Sequence, residues 1–372
     1  MNKPMQRTMC RRNVLSQSQG IIATMVAVVL VGLLGFVALV IDLGFALVTR
    51  NQLQNIADGA ALAGTRQLGR MYEGLTPTAQ QGYELTGSDK SAILTKVREI
   101  GESNSAGGKA IDINTDDIVI GKWNVTSKQL TPTSVNPDAV SVLVRRDDRA
   151  NSALPTFFAG LMGTSHLHVS AQATAALVGI KEVAAGELNA PFGISRVWFE
   201  NRDEFCGLPI QFSPTNSPEG CAGWHTFFEA PNARNLRRIL DGLLDGTFTS
   251  PEGVAGETQF NFLGGAVSSI FNRFQALYEA RAVCSTTGGR CSDAPCGGTC
   301  EWSTFIGVYD APDCANPNGP LTIVGFTTAT IYRVDNSQKI IEGRVQCDMV
   351  QANTRGGGAN FGTKGSIPGL VQ

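Results

Sequence analysis

Ile21 to Ile41 is a run of 21 residues without a charge, and no other feature limits the fold of this 372-residue chain as strongly. At 1.5 Å per residue, a helix of that length spans about 31 Å, matching a hydrocarbon core of about 30 Å. Fourteen of its residues are Ile, Val, Leu or Phe, with a gross insertion energy of about −4 to −8 kcal/mol. Lys3, Arg7, Arg11 and Arg12 precede the run without an intervening acid, and the next charged residue is Asp42. The positive-inside rule then places residues 1–20 in the cytoplasm as a basic N-terminus and exports everything beyond Asp42. Arg11-Arg12 is not followed by a small-residue cleavage site, and Met25 stands where a prepilin cut after Gly20 would favour Glu. An uncleaved signal anchor is expected.

The cysteines follow the same division. Cys10 stands alone before the run, and none falls between residues 11 and 205. Cys206, Cys221, Cys284, Cys291, Cys296, Cys300, Cys314 and Cys347 all lie in the C-terminal half. An even number on the exported side is the mark of a disulfide framework. Cys206 and Cys221 bracket a loop whose closure would contribute roughly 3 kcal/mol. Cys284, Cys291, Cys296 and Cys300 are close enough in sequence to consider zinc, but no C-x₂-C knuckle occurs, which favours disulfides. The sequence does not choose among the connectivities.

Beyond the apolar run the helical period continues. Leu53, Ile56, Ala57, Ala60, Ala61 and Gly64 recur at three- and four-residue intervals, so one helix is expected from the membrane to about Gly69. Its Ala57, Ala60, Ala61 and Gly64 face is small enough for a partner helix or a sheet to approach closely. The apolar run, Asp42-Leu43-Gly44, and the stretch from Arg50 through Asp58 to Gly64 resemble the N-terminal module of TadG-like proteins of Flp/Tad pilus systems. The sequence departs from that pattern at Ile56 and Gly59, where Ala is usual. Gly121-Lys122-Trp123, Ala139 to Arg146, Phe157 to Leu161 and Val169 to Leu177 are similar to further family blocks in the same order. The resemblance covers residues 18 to 180 and implies a bacterial inner-membrane protein with a pseudopilin-like TadE/TadG-like module. Its implied partners are pilins or other pilus assembly proteins.

The residues alone give an α+β fold. A helix is expected over Ser88 to Ile100, with strands over Ile118 to Val125, Ala139 to Val144 and Leu167 to Leu177. Pro155 is placed to open a short helix over Thr156 to Met162. The plan is a long helix on a small antiparallel sheet across residues 42–180. A cysteine-rich α+β module follows over 181–352, entered through a joint at Lys181 to Asn189. Its expected elements are helices at Asn235 to Leu244 and Gly265 to Val283, and strands at Phe305 to Tyr309, Leu321 to Val334 and Lys339 to Cys347. A hairpin turn is expected at Asp335-Asn336-Ser337. Residues 353–372 are Gly-rich and read as a flexible tail.

Chemistry is hard to find. Of three histidines, His166 and His168 share a strand face without a third ligand, and His225 follows Trp224 as a structural position. No metalloprotease, nucleophile-elbow or dinucleotide motif occurs. Gly357 to Lys364 misses a phosphate-binding loop because Thr363 stands where Lys is required. Asp310, Asp313, Asn316 and Asn318 could hold calcium, but without EF-hand spacing. The D-x-S-x-S metal site of some TadG-like proteins is missing. The net charge of −2 gives no reason to expect nucleic acid. The expectation is a non-enzymatic pilus assembly component without a cofactor, a metal site or a small-molecule substrate. A membrane-tethered binding or adhesion module is the alternative.

Overall fold

The computed structural model describes residues 15–200, 205–212, 220–264, 267–293 and 295–372. The basic cluster from Lys3 to Arg12, Cys10 and the start of the helix expected at Gly265 lie outside the described residues.

A single helix runs from Leu15 to Glu73, 59 residues, or about 88 Å. Its outer half is apolar and exposed: an 18-residue window has mean hydropathy 2.9, enough to cross a membrane. Asp42 is the first fully buried residue along it among those described. From there the helix is the spine of a packed domain, burying Leu53, Ile56, Ala57, Ala60, Ala61, Gly64, Thr65, Leu68, Gly69 and Tyr72. Those positions alternate by three and by one, the stripe of a helix with one face in a core.

A second helix, Gly87–Glu102, lies against the first and buries Ile93, Val97 and Gly101. Its cap is Thr86, not the expected Ser88-Asp89. The Asp89 amide donates to the Thr86 hydroxyl, and the Thr86 amide donates to the Asp89 carboxylate, a capping box. Under both helices lies an antiparallel five-stranded sheet. Its order is Gly369–Leu370, Val169–Ala176, Ala139–Arg146, Ile118–Asn124 and Gln129–Pro132. This is the expected α+β plan with two additions, the edge strands Gln129–Pro132 and, from the far end of the chain, Gly369–Leu370. Pro155 closes a two-residue strand instead of opening a helix, and the turn that follows is a 3-10 helix, Ala159–Met162.

The other core belongs to a 12-stranded sheet. Phe192–Ser195, Ala222–His225, Gln259–Leu263, Gly319–Asp335 and Cys300–Tyr309 pair in succession, and the last returns to the first, closing a ring. Phe192, Phe212, Trp224, Phe262 and Phe274 are fully buried in the core around it. Ala233–Asp245 covers it with Leu236, Ile239, Leu240 and Leu243, between an Asn232 cap and Gly246 in the left-handed region. The helix expected over Gly265 to Val283 is shorter, Phe271–Arg281. The hairpin at Asp335 forms as expected, its carboxylate accepting from the Ser337 and Gln338 amides.

All eight C-terminal cysteines are paired, as Cys206–Cys347, Cys221–Cys314, Cys284–Cys296 and Cys291–Cys300. Cys206 does not pair with Cys221. Each instead bridges to a loop distant in sequence, Cys206 to Cys347 just before the strand Met349–Gly358 and Cys221 to Cys314 just after Cys300–Tyr309.

Two expected boundaries change. The joint expected from Lys181 falls inside a strand, Gly179–Val183, that pairs with Met349–Gly358. The expected flexible tail is three strands, Met349–Gly358, Thr363–Ile367 and Gly369–Leu370, with Thr363, Lys364 and Ser366 buried. Glycine there serves close approach and not looseness. A Cβ on Gly358 would sit 2.4 Å from the Ile180 carbonyl oxygen, and one on Gly365 2.6 Å from the Gly356 nitrogen.

Candidate functional site

The small helix face is the best-defined feature that the sequence singled out. Ala57, Ala60 and Ala61 have no solvent exposure. A Cβ on Gly64 would meet Val97 at 2.7 Å and Val140 at 3.2 Å, so the second helix and the sheet meet the long helix where it has no side chain. Thr65 donates to the Ala61 carbonyl at 2.8 Å and to Ala175 in the sheet at 3.1 Å. The close partner of this face is therefore the chain's own sheet and second helix. A Cβ on Gly59, off the family pattern, would lie 3.5 Å from Ile100.

The same helix is tied to the end of the chain. A Cβ on Gly69 would lie 2.3 Å from the Ser366 carbonyl oxygen. Arg66 donates to that carbonyl at 3.1 Å and to Glu73 at 2.8 Å. Gln80 pairs with Val350 as a strand would: its amide donates to the Val350 carbonyl at 3.2 Å, and its oxygen accepts from the Val350 amide at 2.7 Å.

Where the two cores meet, Lys364 is buried with its Nζ 2.7 Å from Asp138 and 3.3 Å from Asp348. Burial disfavours the ammonium, but the two carboxylates outweigh it and raise its pKa. Asp348 is desolvated too, and Lys364 and Lys122 hold its carboxyl below the ordinary range. Asp138 also accepts from the Trp123 amide at 2.6 Å. Sequence reasoning missed Asp138 and Lys364, which are 226 residues apart. A cleft of about 650 Å³ opens beside them, lined by Trp123, Leu177, Phe205, the Cys206–Cys347 bridge and Lys364. Lys364 is the last residue of the stretch compared with a phosphate-binding loop, and its charge is already matched.

At the membrane end, Asp42 gathers three backbone amides of a distant loop. Oδ1 accepts from Phe157 at 2.7 Å, and Oδ2 accepts from Phe158 at 3.0 Å and Ala159 at 2.6 Å. Burial pushes its carboxyl up, but the three amides outweigh that and hold its pKa below the ordinary value. Two blocks of the resemblance, Asp42-Leu43-Gly44 and Phe157 to Leu161, are thus two halves of one contact.

The histidines lie in two unlike places, one buried and two exposed. His225 is enclosed by Phe227, Phe260 and Phe262, and burial lowers its pKa to about 3, so it is neutral. His166 and His168 are exposed and bond to Ser165 and Asp148. Among the described residues, the one group spaced to hold a metal ion is Cys291, Cys296 and Cys300, and these sulfurs are in disulfides. In the loop considered for calcium, Asp310 pairs with Arg196 and Asp313 accepts from the Ala315 amide.

Family comparison matches residues 20–67 to the Flp pilus-assembly TadE/G-like model and residues 77–175 to the Tad-like Flp pilus-assembly model. Nothing among curated proteins or solved structures matches the chain. The two matched stretches are the long helix with its small face and the second helix with most of its sheet. The N-terminal part of the chain, residues 20–67 and 77–175, is therefore similar to the TadE/G-like Flp pilus-assembly family.

Proposed function

We propose that the chain is a non-enzymatic, membrane-anchored component of Flp/Tad pilus assembly with a pseudopilin-like structural role. Its N-terminus lies in the cytoplasm, residues 21–41 cross the inner membrane, and both packed cores stand outside it. The observation that carries this reading is the continuity of one helix, Leu15–Glu73, from an exposed apolar half into the spine of a helix-on-sheet domain. Force or position at the membrane is then transmitted to the domain without a hinge. The partners are other pilus proteins, which meet surfaces other than the Ala57, Ala60, Ala61 and Gly64 face, since that face is already covered. A structural role is supported by the enclosure of His225 and the ion pairing of Lys364, which leave neither free to act as a base.

The test is genetic. Deleting the gene should abolish or sharply reduce surface pili counted by electron microscopy, with restoration by the full chain. A reporter active only after export, joined beyond Gln372 through a flexible linker, should be active. Unchanged piliation would remove the pilus role, and activity of a cytoplasm-only reporter at the same place would reverse the orientation.

A further inference from the structure

The contact at Asp42 has a consequence at the bilayer surface. Leu154–Pro155 pairs with His166–Leu167, and the chain between them forms a finger. The Thr156 amide donates to the Ser165 carbonyl at 3.1 Å, and the Thr156 hydroxyl donates to Thr164 at 2.7 Å. Gly163, in the left-handed region, ends the 3-10 turn within it. Asp42 ties this finger to the helix, and Phe157 packs edge-on against Phe45 with ring centroids 5.4 Å apart. Yet Phe157 is 63% exposed and Phe158 40%. Two rings held rigidly by their backbone and left uncovered call for a partner.

Their level along the helix identifies it. Asp42 directly follows the charge-free run, so the finger meets the helix at the edge of a hydrocarbon core about 30 Å thick. The helix surface there is apolar as well: Leu39, Val40, Ile41, Leu43 and Leu47 are exposed. The rings thus continue the apolar surface of the span. Aromatic side chains at such a level bury into the boundary between headgroups and acyl chains. A free carboxylate at this depth is costly, and three amide donors remove the need for water around Asp42.

We infer that the finger is a membrane-interface anchor: Asp42 positions it so that Phe157 and Phe158 enter the outer leaflet of the bilayer that the helix crosses. The domain then meets the membrane at two points, the helix and the finger, which sets its height and tilt. This rests on the span proposed above.

Tryptophan depth measurements test both separately. The full chain is reconstituted in phosphatidylcholine–phosphatidylglycerol vesicles carrying bromines either near the headgroups or deep in the acyl chains. Trp123, Trp198, Trp224 and Trp302 are buried in the protein, so the wild type sets the zero. Leu34→Trp, in the span, should lose its added fluorescence mainly to deep bromines. Phe157→Trp should emit at blue-shifted wavelengths and lose most of its added fluorescence to shallow bromines. Adding Asp42→Ala should shift that emission to the red and weaken the quenching. Quenching at position 34 with none at 157, and red emission there, overturns the anchor alone. Blue emission at 157 without bromine quenching assigns the rings to a neighbouring protein and also overturns it. Undiminished quenching with Asp42→Ala overturns the role of Asp42. Loss of quenching at both positions 34 and 157 overturns the span and the anchor with it.

Discussion

The two cores are held together by different physics. The family-matched domain packs Ala57, Ala60 and Ala61 of the helix over Ala171, Ala173 and Ala175 of the sheet, with no cysteine between residues 11 and 205. Alanine buries few methylenes, so stability there comes from backbones brought close enough for dense dispersion contact. The C-terminal module is filled with Phe and Trp rings, each burying about 150–250 Å², and is crossed by four disulfides. One core depends on the absence of volume and the other on bulk and covalent closure. They should therefore fail under different insults.

The largest effect is expected in the module. Cys206–Cys347 closes a sequence separation of 141 residues, and removing such a native bridge costs about 2–5 kcal/mol. Replacing both cysteines by Ser should lower the unfolding free energy of the module, read from urea denaturation of the exported portion, by that amount, without loss of helix signal from the family-matched domain in the first transition. Simultaneous collapse of both regions would show that the strands from Met349 onward make them one cooperative unit, and the contrast would fail.

A smaller effect is expected on the small face. Ala61→Leu forces three extra heavy atoms into filled space, and overpacking costs typically about 1–3 kcal/mol. Lower protein level and fewer pili should follow. The polar side supplies the control, though Gln54 is not ideal, since it donates to Asp58 at 2.8 Å and to the Gln172 carbonyl at 3.3 Å. Asn55 is exposed, and Asn55→Leu should change stability by less than about 0.5 kcal/mol. Equal tolerance of both would mean this core is as plastic as the aromatic one.

The third effect, smallest near neutral pH and growing with acid, separates the cores by pH. The unfolded chain takes a proton on His225 below about pH 6.5, which the folded module refuses until about pH 3. Stability from this group is thus complete above 6.5 and lost on acidification between those values, by roughly 1 kcal/mol per pH unit. His225→Leu should flatten that slope in urea midpoints taken across the range. A slope that survives the substitution would place the acid sensitivity elsewhere.

Much of this was readable because it is local. The apolar run, the three-and-one spacing of the spine and the hairpin at Asp335 depend on residues within one or two turns of each other, and each formed. The Thr86 cap was missed by two residues, since Ser88 offers the same hydroxyl chemistry. Asp42 was legible as the end of the run but not as the acceptor for Phe157, Phe158 and Ala159. Nothing in a sequence says which amides a carboxylate will meet 115 residues away.

The glycine-rich end shows the limit most clearly. Composition from Asn353 onward reads as slack chain, because glycine carries the largest entropic cost of ordering. The same missing Cβ lets Gly356, Gly358 and Gly365 lie against other backbones and lets Gly69 admit Ser366. Sequence alone determined that a long apolar helix would enter a small-faced spine, that eight cysteines would share one region, and that the chain resembles TadG-like proteins. Only tertiary structure decided which cysteines pair, that Lys364 meets Asp138, and that the last strand returns to the first sheet. Those choices depend on contacts between distant segments, and residue identity fixes what such contacts can be but not which of them close.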